Sequence, residues 1–299
     1  MKQLLLPVLG FYLNVLSWLA PRKAGRTGFA WFCTPVRSPL TPAHHQFFAT
    51  AETTDLAVAN EKIRVYRWGR GPRKVLFLHG WQSHSFRWKN YIEALPMDEY
   101  TVYALDAPAH GLSTGTWLHL PKYTAVVQAF FERHGEVDTL IGHSFGSFAA
   151  LYALYLNPAL PVHKLALTGT PGEVEDFMTF YQKMLRLTNR TMGLIYAEFV
   201  RQVDRYPSFF SAPRFAETLK LPGVIIHDVG DTDTPFHHAE RIHRAWSGST
   251  LIVTEGLGHN LRSARVVERI LELVRQPVVG FNHLHVSRSE REISLLPQG

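Results

Sequence analysis

Six short apolar runs constrain the fold of this 299-residue chain more than any other feature of its sequence. Strands with one solvated face alternate between apolar and polar residues, whereas these runs are continuous. Continuous runs of this length are typical of strands buried on both faces, as in a parallel sheet that helices cover. The runs are Val75–Leu78, Val102–Leu105, Thr139–Ile141, Leu165–Leu167, Val224–Ile226 and Leu251–Val253.

Segments with helical periodicity follow several of these runs. They cover Tyr123–Arg133, Ser147–Leu156 and Ala264–Val274. Before the first run, Asp55–Ala59 and Lys62–Arg67 alternate and predict an antiparallel hairpin. Alternation of strand and helix over about 200 residues predicts an α/β fold with a mostly parallel, doubly wound sheet. In such sheets ligands bind at the carboxyl ends of the strands.

One long interval, residues 171–221, interrupts this rhythm between two predicted strands. Aromatic and aliphatic side chains recur there at helical spacing, and ordinary core packing is the simpler interpretation for most of them. Structureless loops of this length are rare in compact domains, so the interval predicts an inserted helical cap. A cap shapes the substrate pocket, and we take Phe177 and Phe180 as candidate substrate-binding residues.

The N-terminal run, residues 4–19, is almost wholly apolar. On a helix its few interruptions fall in one narrow sector, which favours a helix that lies against the protein body or in a membrane interface. A spanning anchor is the third interpretation, and the basic residues that follow the run would keep the body cytoplasmic. The interruptions are Gln3, Pro7, Gly10, Asn14 and Ser17, and the basic residues are Arg22, Lys23 and Arg26.

Composition excludes several classes of function. The net charge of +6 is mild and the basic residues are scattered, so we expect no nucleic-acid partner. The single cysteine, Cys33, excludes an internal disulfide and favours a reducing, cytoplasmic location. We expect no cofactor and no metal, and we interpret His283 and His285 near the C-terminus as surface or edge-strand histidines.

The pentapeptide Gly142–Gly146, Gly-His-Ser-Phe-Gly, is the strongest chemical motif. It follows the predicted strand Thr139–Ile141 and leads into a helix. A G-x-S-x-G at such a junction is typical of a nucleophile elbow, which holds a serine hydroxyl above the sheet. A serine alone is a poor nucleophile, so Ser144 requires a histidine base and an acid that orients the histidine.

Two further strand ends supply these groups in chain order. Gly230–Pro235 follows one predicted strand and carries Asp231 and Asp233, and Gly256–Asn260 follows the next and carries His259. The carboxyl ends of parallel strands meet at one edge of a sheet, so we expect the three groups to converge. This order of serine, acid and histidine is that of elbow hydrolases.

Over residues 52–275 the chain resembles the α/β-hydrolase-fold serine hydrolases. In that pattern the acid lies three residues after a glycine and shortly before a proline, which selects Asp233, with Asp231 as the alternative. The resemblance also implies an oxyanion hole formed by the backbone N–H groups of Trp81 and Phe145, with Trp81 walling the acyl pocket. The motifs that carry it are Leu78–Trp81, Asp106–Ser113, the Ser144 pentapeptide, the Asp233 turn and the Gly258–His259 turn.

The remaining polar residues of these motifs have simpler interpretations. We expect His79 and His110 to form hydrogen bonds within turns, because the role of base is already assigned to His259. We expect His143 to pack under the elbow and Asp106 to organise its own loop.

The resemblance implies a serine hydrolase that cleaves a small-molecule carboxylic ester or thioester through an acyl-enzyme. Carbon–carbon bond hydrolases and haloperoxidase-like enzymes share the fold and the serine, so they stay as alternatives, as does a non-catalytic binding protein. We predict an N-terminal extension over residues 1–50, a core over 51–170 and 222–276, the cap over 171–221 and a tail over 277–299. Residues 4–19 give a possible association with a membrane surface.

Overall fold

The computed structural model describes the backbone of residues 2–277 and 293–295 and the side chains of residues 6–277. His283, His285 and most of the predicted tail lie outside the described residues. The chain divides into two compact units, and each combines segments that are distant in sequence. One contains residues 1–34 and 172–211 and is here called the helical unit. The other contains residues 35–171 and 212–299 and is here called the sheet unit.

The sheet unit is built on one nine-stranded sheet in the order β1-β2-β4-β3-β5-β6-β7-β8-β9. The hairpin β1–β2 is antiparallel and β2 pairs with β4 antiparallel. Every other neighbouring pair is parallel. The strands are β1 Glu52–Val58, β2 Glu61–Trp68, β3 Arg73–Leu78, β4 Tyr100–Leu105, β5 Val137–His143, β6 Val162–Thr168, β7 Gly223–Asp228, β8 Ser249–Thr254 and β9 Ile293–Leu295.

The continuous apolar runs became the central strands, as predicted. Every residue of β4 and β7 is buried, and the last four of β3 and β8 are buried too. Strands buried on both faces require helices on both sides of the sheet, which explains why periodic helical segments separate them. The predicted α/β-hydrolase fold with a mostly parallel, doubly wound sheet is therefore confirmed.

The helices of the sheet unit include all three segments that the periodicity predicted. The amphipathic helix α11 packs its apolar side on β6 and β7, and α6 packs on β5. These helices are α3 Pro42–Phe48, α4 Lys89–Glu93, α5 Leu120–His134, α6 Phe145–Leu156, α9 Ala212–Ala216, α10 His237–Ala245 and α11 Ala264–Arg275.

The helical unit joins the N-terminal segment to the interval that interrupts the strand pattern. Helix α2 packs on α8, and α1 packs on α2, α7 and α8. The sequence prediction treated the extension and the insertion separately, but these contacts make them one unit. No helix in the part of the chain that the structure describes is long and apolar enough to cross a membrane. The helices are α1 Lys2–Leu19, α2 Pro21–Cys33, α7 Val174–Leu185 and α8 Asn189–Val203.

Candidate active site

The turn between β5 and α6 holds Ser144 in a strained conformation. The φ angle of Ser144 is +52°, in the region that L-residues rarely adopt. The flanking glycines permit this turn, because a methyl group on Gly142 would overlap the backbone of Ser147 and one on Gly146 would overlap the carbonyl oxygen of Leu78. The sequence motif is therefore a steric requirement of the close approach between strand and helix.

The hydroxyl of Ser144 contacts the imidazole of His259. Ser144 Oγ lies 3.0 Å from His259 Nε2, within hydrogen-bond distance. Ser144 is buried, and the His259 side chain is 19% exposed, so the pair lies at the edge of solvent. The two residues come from the carboxyl ends of β5 and β8, where the sequence predicted that they would converge.

The carboxylate that reaches His259 belongs to Asp231, and this corrects the preference for Asp233. Asp231 Oδ2 lies 2.8 Å from His259 Nδ1. Asp231 Oδ1 accepts hydrogen bonds from the backbone N–H groups of Asp233 and Thr234, both at 2.9 Å, which fold its side chain inward. The same turn leaves Asp233 exposed. Spacing from Gly230 could not reveal which of two neighbouring carboxylates the turn would bury.

Asp231 is held as a buried carboxylate by several donors. The hydroxyl of Thr234 donates to Asp231 Oδ2 at 2.8 Å and lies 3.1 Å from His259 Nδ1. His227 Nε2 lies 3.4 Å from the same oxygen. Burial by itself raises the pKa of Asp231, but hydrogen bonds from His227, His259 and the Thr234 backbone lower that pKa well below its usual range. Asp231 is therefore an anion that faces the imidazole.

A second histidine fixes the backbone of the loop that carries His259. His143 Nε2 lies 2.9 Å from the carbonyl oxygen of His259 and donates to it. Burial is the main cause that lowers the pKa of His143 well below its ordinary value, so this ring is neutral. The residue before the nucleophile therefore does more than pack under the elbow, because it links the β5 turn directly to the β8 turn.

Trp81 and Phe145, the predicted donors of the oxyanion hole, lie together beside the nucleophile. Their ring centroids are 5.6 Å apart, and Phe145 begins α6. A methyl group on Gly80 would approach the Ser144 Cβ to 2.9 Å, which places the β3 turn against the elbow. The assignment of the two backbone N–H groups to an oxyanion stays a prediction.

His79 and His110 lie in turns and form hydrogen bonds, as the sequence predicted, and these bonds link the turn after β3 to the turn after β4. His79 Nε2 accepts from the backbone of Ala107, and His110 Nε2 accepts from that of Gln82, both at 2.9 Å. Burial lowers the pKa of each histidine to about 3, so both are neutral acceptors. Asp106 organises its loop as expected, since its carboxylate accepts from the Leu112 backbone at 2.9 Å, and it also accepts from the backbone and side chain of Ser85 in the segment after β3.

The two predicted substrate-binding aromatics lie on α7 in the helical unit. Phe180 is 65% exposed and Phe177 is half-buried. Their role in binding substrate stays a prediction.

Sequence reasoning missed His227 and Thr234. Both are buried, and His227 Nε2 donates to the Thr234 carbonyl oxygen at 2.6 Å, which closes the turn around Asp231. A signal was present for His227, because it is one of the two polar residues, His227 and Asp228, at the carboxyl end of the otherwise apolar strand β7, and polar residues at that edge of a sheet predict a site. The arrangement can pass a proton from the Ser144 hydroxyl to His259 while Asp231 stabilises the imidazolium.

Comparisons with known proteins identify the family and the fold. The model of the alpha/beta hydrolase family matches residues 75–269. A dihydrolipoyllysine-residue acetyltransferase component of an acetoin cleaving system, from Cupriavidus necator, is 36% identical over 142 residues. That match covers 46% of this chain and 37% of the relative, so the chain spans little more than a third of the relative's length.

Solved structures share the fold at low sequence identity. A membrane phospholipase A matches with a TM-score of 0.59 and 17% identity, over 93% of this chain and 100% of its own. A thioesterase domain from the curacin biosynthetic pathway matches with a TM-score of 0.55 and 15% identity, over 75% of this chain and 98% of its own. These structural similarities show only that the fold is shared. The match to the family model supports hydrolase activity. Because the family model matches about two thirds of the chain, including the serine turn and the parallel strands from β3 to β8, the chain belongs to the alpha/beta hydrolase family.

Proposed function

We propose that this protein is a serine hydrolase that cleaves a carboxylic ester or a thioester through an acyl-enzyme. One observation carries the proposal: the continuous contact from Ser144 Oγ to His259 Nε2 at 3.0 Å and from His259 Nδ1 to Asp231 Oδ2 at 2.8 Å. Nucleophile, base and orienting acid each come from a different strand end, which is the arrangement that acyl transfer to water requires.

In the proposed acylation step, Ser144 Oγ attacks the substrate carbonyl carbon and its proton passes to His259 Nε2. His259 keeps its Nδ1 proton and donates a hydrogen bond through it to the Asp231 carboxylate. The imidazolium is therefore stabilised without a second proton transfer. The carbon–oxygen or carbon–sulfur bond of the substrate then breaks, and His259 gives its Nε2 proton to the leaving group.

Deacylation repeats the cycle with water. His259 removes a proton from the water, the hydroxide adds to the acyl carbon, and the Ser144 oxygen leaves with the proton that His259 returns. The backbone N–H groups of Phe145 and Trp81 stabilise the oxyanion in both steps. Removal of one such donor typically costs a factor on the order of 10²–10³ in rate.

Labelling with a fluorophosphonate tests the nucleophile directly. We expect stoichiometric modification of the wild type at Ser144, none in Ser144→Ala, and a fall of about 10⁴-fold or more in p-nitrophenyl ester hydrolysis. Ser147→Ala is the matched control, because Ser147 is buried three residues further along the same segment. Retained turnover in a folded Ser144→Ala protein would overturn the proposal, and a wild type that reacts with no fluorophosphonate would favour a binding protein.

A substrate panel tests the class of bond. The fold neighbours named as a thioesterase domain and a membrane phospholipase A support inclusion of thioesters and lipid esters beside simple esters. We expect turnover of at least one acyl series of graded chain length, lost in Ser144→Ala. Turnover of a carbon–carbon bond substrate alone would replace the ester proposal with that chemistry.

A further inference from the structure

Helix α1 presents an apolar stripe to solvent. Its six exposed large side chains occur at helical spacing and occupy a sector of roughly 120° on one face. Phe11, Trp18 and Leu19 are 69%, 71% and 78% exposed. Folded proteins expose single apolar side chains routinely, but a contiguous stripe of them marks an interaction surface. The stripe comprises Val8, Phe11, Tyr12, Val15, Trp18 and Leu19.

The opposite face of α1, which holds most of its polar and small residues, is the buried one. Asn14 donates to the carbonyl oxygen of Arg186 at 3.0 Å and accepts from the Thr188 backbone at 2.9 Å and the Thr191 hydroxyl at 2.8 Å. A methyl group on Gly10 would overlap the carbonyl oxygen of Leu185, so α1 approaches the end of α7 closely. The helix is thus fixed in a rotation that turns its apolar side outward.

The packed face also holds the fully buried Leu13, so α1 is apolar on both faces, and it presents the stripe to solvent where an ordinary surface helix presents polar side chains. The three hydrogen bonds of the Asn14 side chain fix this orientation of α1 against the segment that joins α7 to α8 and the first turn of α8. Nine of the thirteen exposed large apolar side chains among the described residues belong to the helical unit, although it is the smaller of the two units. Exposed apolar surface is therefore concentrated where α1 lies.

The charges around the stripe select its partner. No acidic residue precedes Glu52 in the sequence, and Arg22, Lys23 and Arg26 directly follow α1 and are exposed. Arg190 from α8 lies over the Trp18 ring, 4.2 Å from its centroid, and so adds a fourth cation beside the stripe. A second copy would bring cations against cations, whereas an anionic surface complements them.

We propose that α1 docks the protein in the plane of a bilayer that contains anionic lipid, with the stripe in the headgroup and acyl boundary. Aromatic rings at the membrane interface and cations in the headgroup layer are typical of such helices. The inference is independent of the proposed hydrolase function, because it rests on the helical unit alone.

Vesicle flotation tests the proposal on the full chain. Ser144→Ala serves as the parent, so that lipid turnover cannot disturb the measurement. We expect the parent to float with vesicles of phosphatidylcholine mixed with phosphatidylglycerol and much less with phosphatidylcholine alone. The double substitution F11S/L19S should lower the partition coefficient at least about tenfold, because two inserted side chains are lost.

Charge reversal and a matched surface change complete the test. R22E/K23E should weaken binding to anionic vesicles by about 20-fold or more, since each cation near the headgroups contributes a factor of about five. Tyr206→Ser is the matched control, because Tyr206 is 67% exposed in the same unit but lies outside α1. It should bind like the parent.

Two results would overturn the proposal. In the first, the parent does not bind anionic vesicles, or F11S/L19S binds them as well as the parent does. In the second, sedimentation shows a dimer that F11S/L19S dissociates while vesicles bind neither protein, which would assign the stripe to a second copy of the chain. Thermal unfolding of each variant identifies a misfolded protein, because these exposed positions should change stability little.

Discussion

The strand-end turns of the sheet unit and helix α1 both bury polar side chains, but in opposite settings. Asp231 lies behind a turn that supplies it with donors, at the edge of an apolar sheet. On α1, the buried Ser17 hydroxyl donates to the Asn14 carbonyl oxygen and the half-buried Asn14 side chain forms three further hydrogen bonds, yet the apolar stripe of the helix faces solvent. A buried polar group is tolerated when it is hydrogen-bonded, and both regions satisfy that condition.

The hydrogen bonds around Asp231 and those of α1 have different consequences. In the turns, they fix an anion and an imidazole in a reactive geometry. On α1, they fix the rotation of a helix and keep its apolar stripe available. Stability alone favours neither arrangement, since a solvated carboxylate and a conventionally packed helix cost less to form. In both regions the hydrogen bonds support the functions that we propose.

The largest expected effect separates the two neighbouring carboxylates. Asp231→Asn should lower kcat by about 10⁴-fold, because the amide no longer stabilises the imidazolium or fixes its tautomer. Asp233→Asn, two residues away and exposed, should stay within about threefold of wild type. Steady-state kinetics on the best ester of the panel measures both. If Asp233→Asn is the more damaging change, the geometric assignment of Asp231 is wrong.

The next effect tests the inward face of α1 with a matched pair of glycine substitutions. Gly10→Ala should lower the free energy of unfolding by about 1–3 kcal/mol, because the methyl group meets the Leu185 carbonyl oxygen. Gly193→Ala lies in α8 with nothing near its added methyl and should stabilise by about 0.5–1 kcal/mol through helix propensity. Thermal midpoints of the two variants should move in opposite directions. Equal shifts would contradict the close docking of α1.

A smaller effect concerns the positioning residue His227. His227→Phe removes the donor that holds the Thr234 carbonyl oxygen and lies beside Asp231, and should lower kcat about tenfold with KM unchanged. His227→Gln retains a donor and should recover most of the rate. A glutamine variant as slow as the phenylalanine variant would reduce His227 to a packing role.

The smallest expected effect is on how thermal stability falls at acidic pH. The folded pKa of Asp231 lies below its unfolded value of about 3.9, so its contribution is complete above that pH and is lost as pH falls through the folded pKa. Thermal midpoints measured from about pH 6 to pH 3 should fall less steeply in Asp231→Asn than in wild type. Parallel curves for the two proteins would show that Asp231 is not a stabilised anion.

Much of the core and of the candidate site was predictable from local patterns. Continuous apolar runs predict buried parallel strands because burial on both faces leaves no polar alternation. Ser144 and His259 were predictable because each follows such a strand, and the carboxyl ends of parallel strands share one edge. The choice between Asp231 and Asp233 was not predictable, because both carboxylates follow the same strand and only the fold of the turn decides which one is buried.

Local patterns were enough to predict the α/β fold, the strand ends that carry the candidate reactive groups and the one-sided pattern of α1, since these depend on continuous apolar runs and on helical periodicity along the chain. The contacts of the folded chain were needed to find which carboxylate reaches His259, what His227 and His143 bind, and which side of α1 faces solvent. The choice of carboxylate and the contact of His227 depend on how the turn after β7 folds, whereas the contact of His143 and the rotation of α1 depend on segments far apart in sequence. A helical pattern shows that two faces differ, and the partner that covers one of them determines which face is left outside.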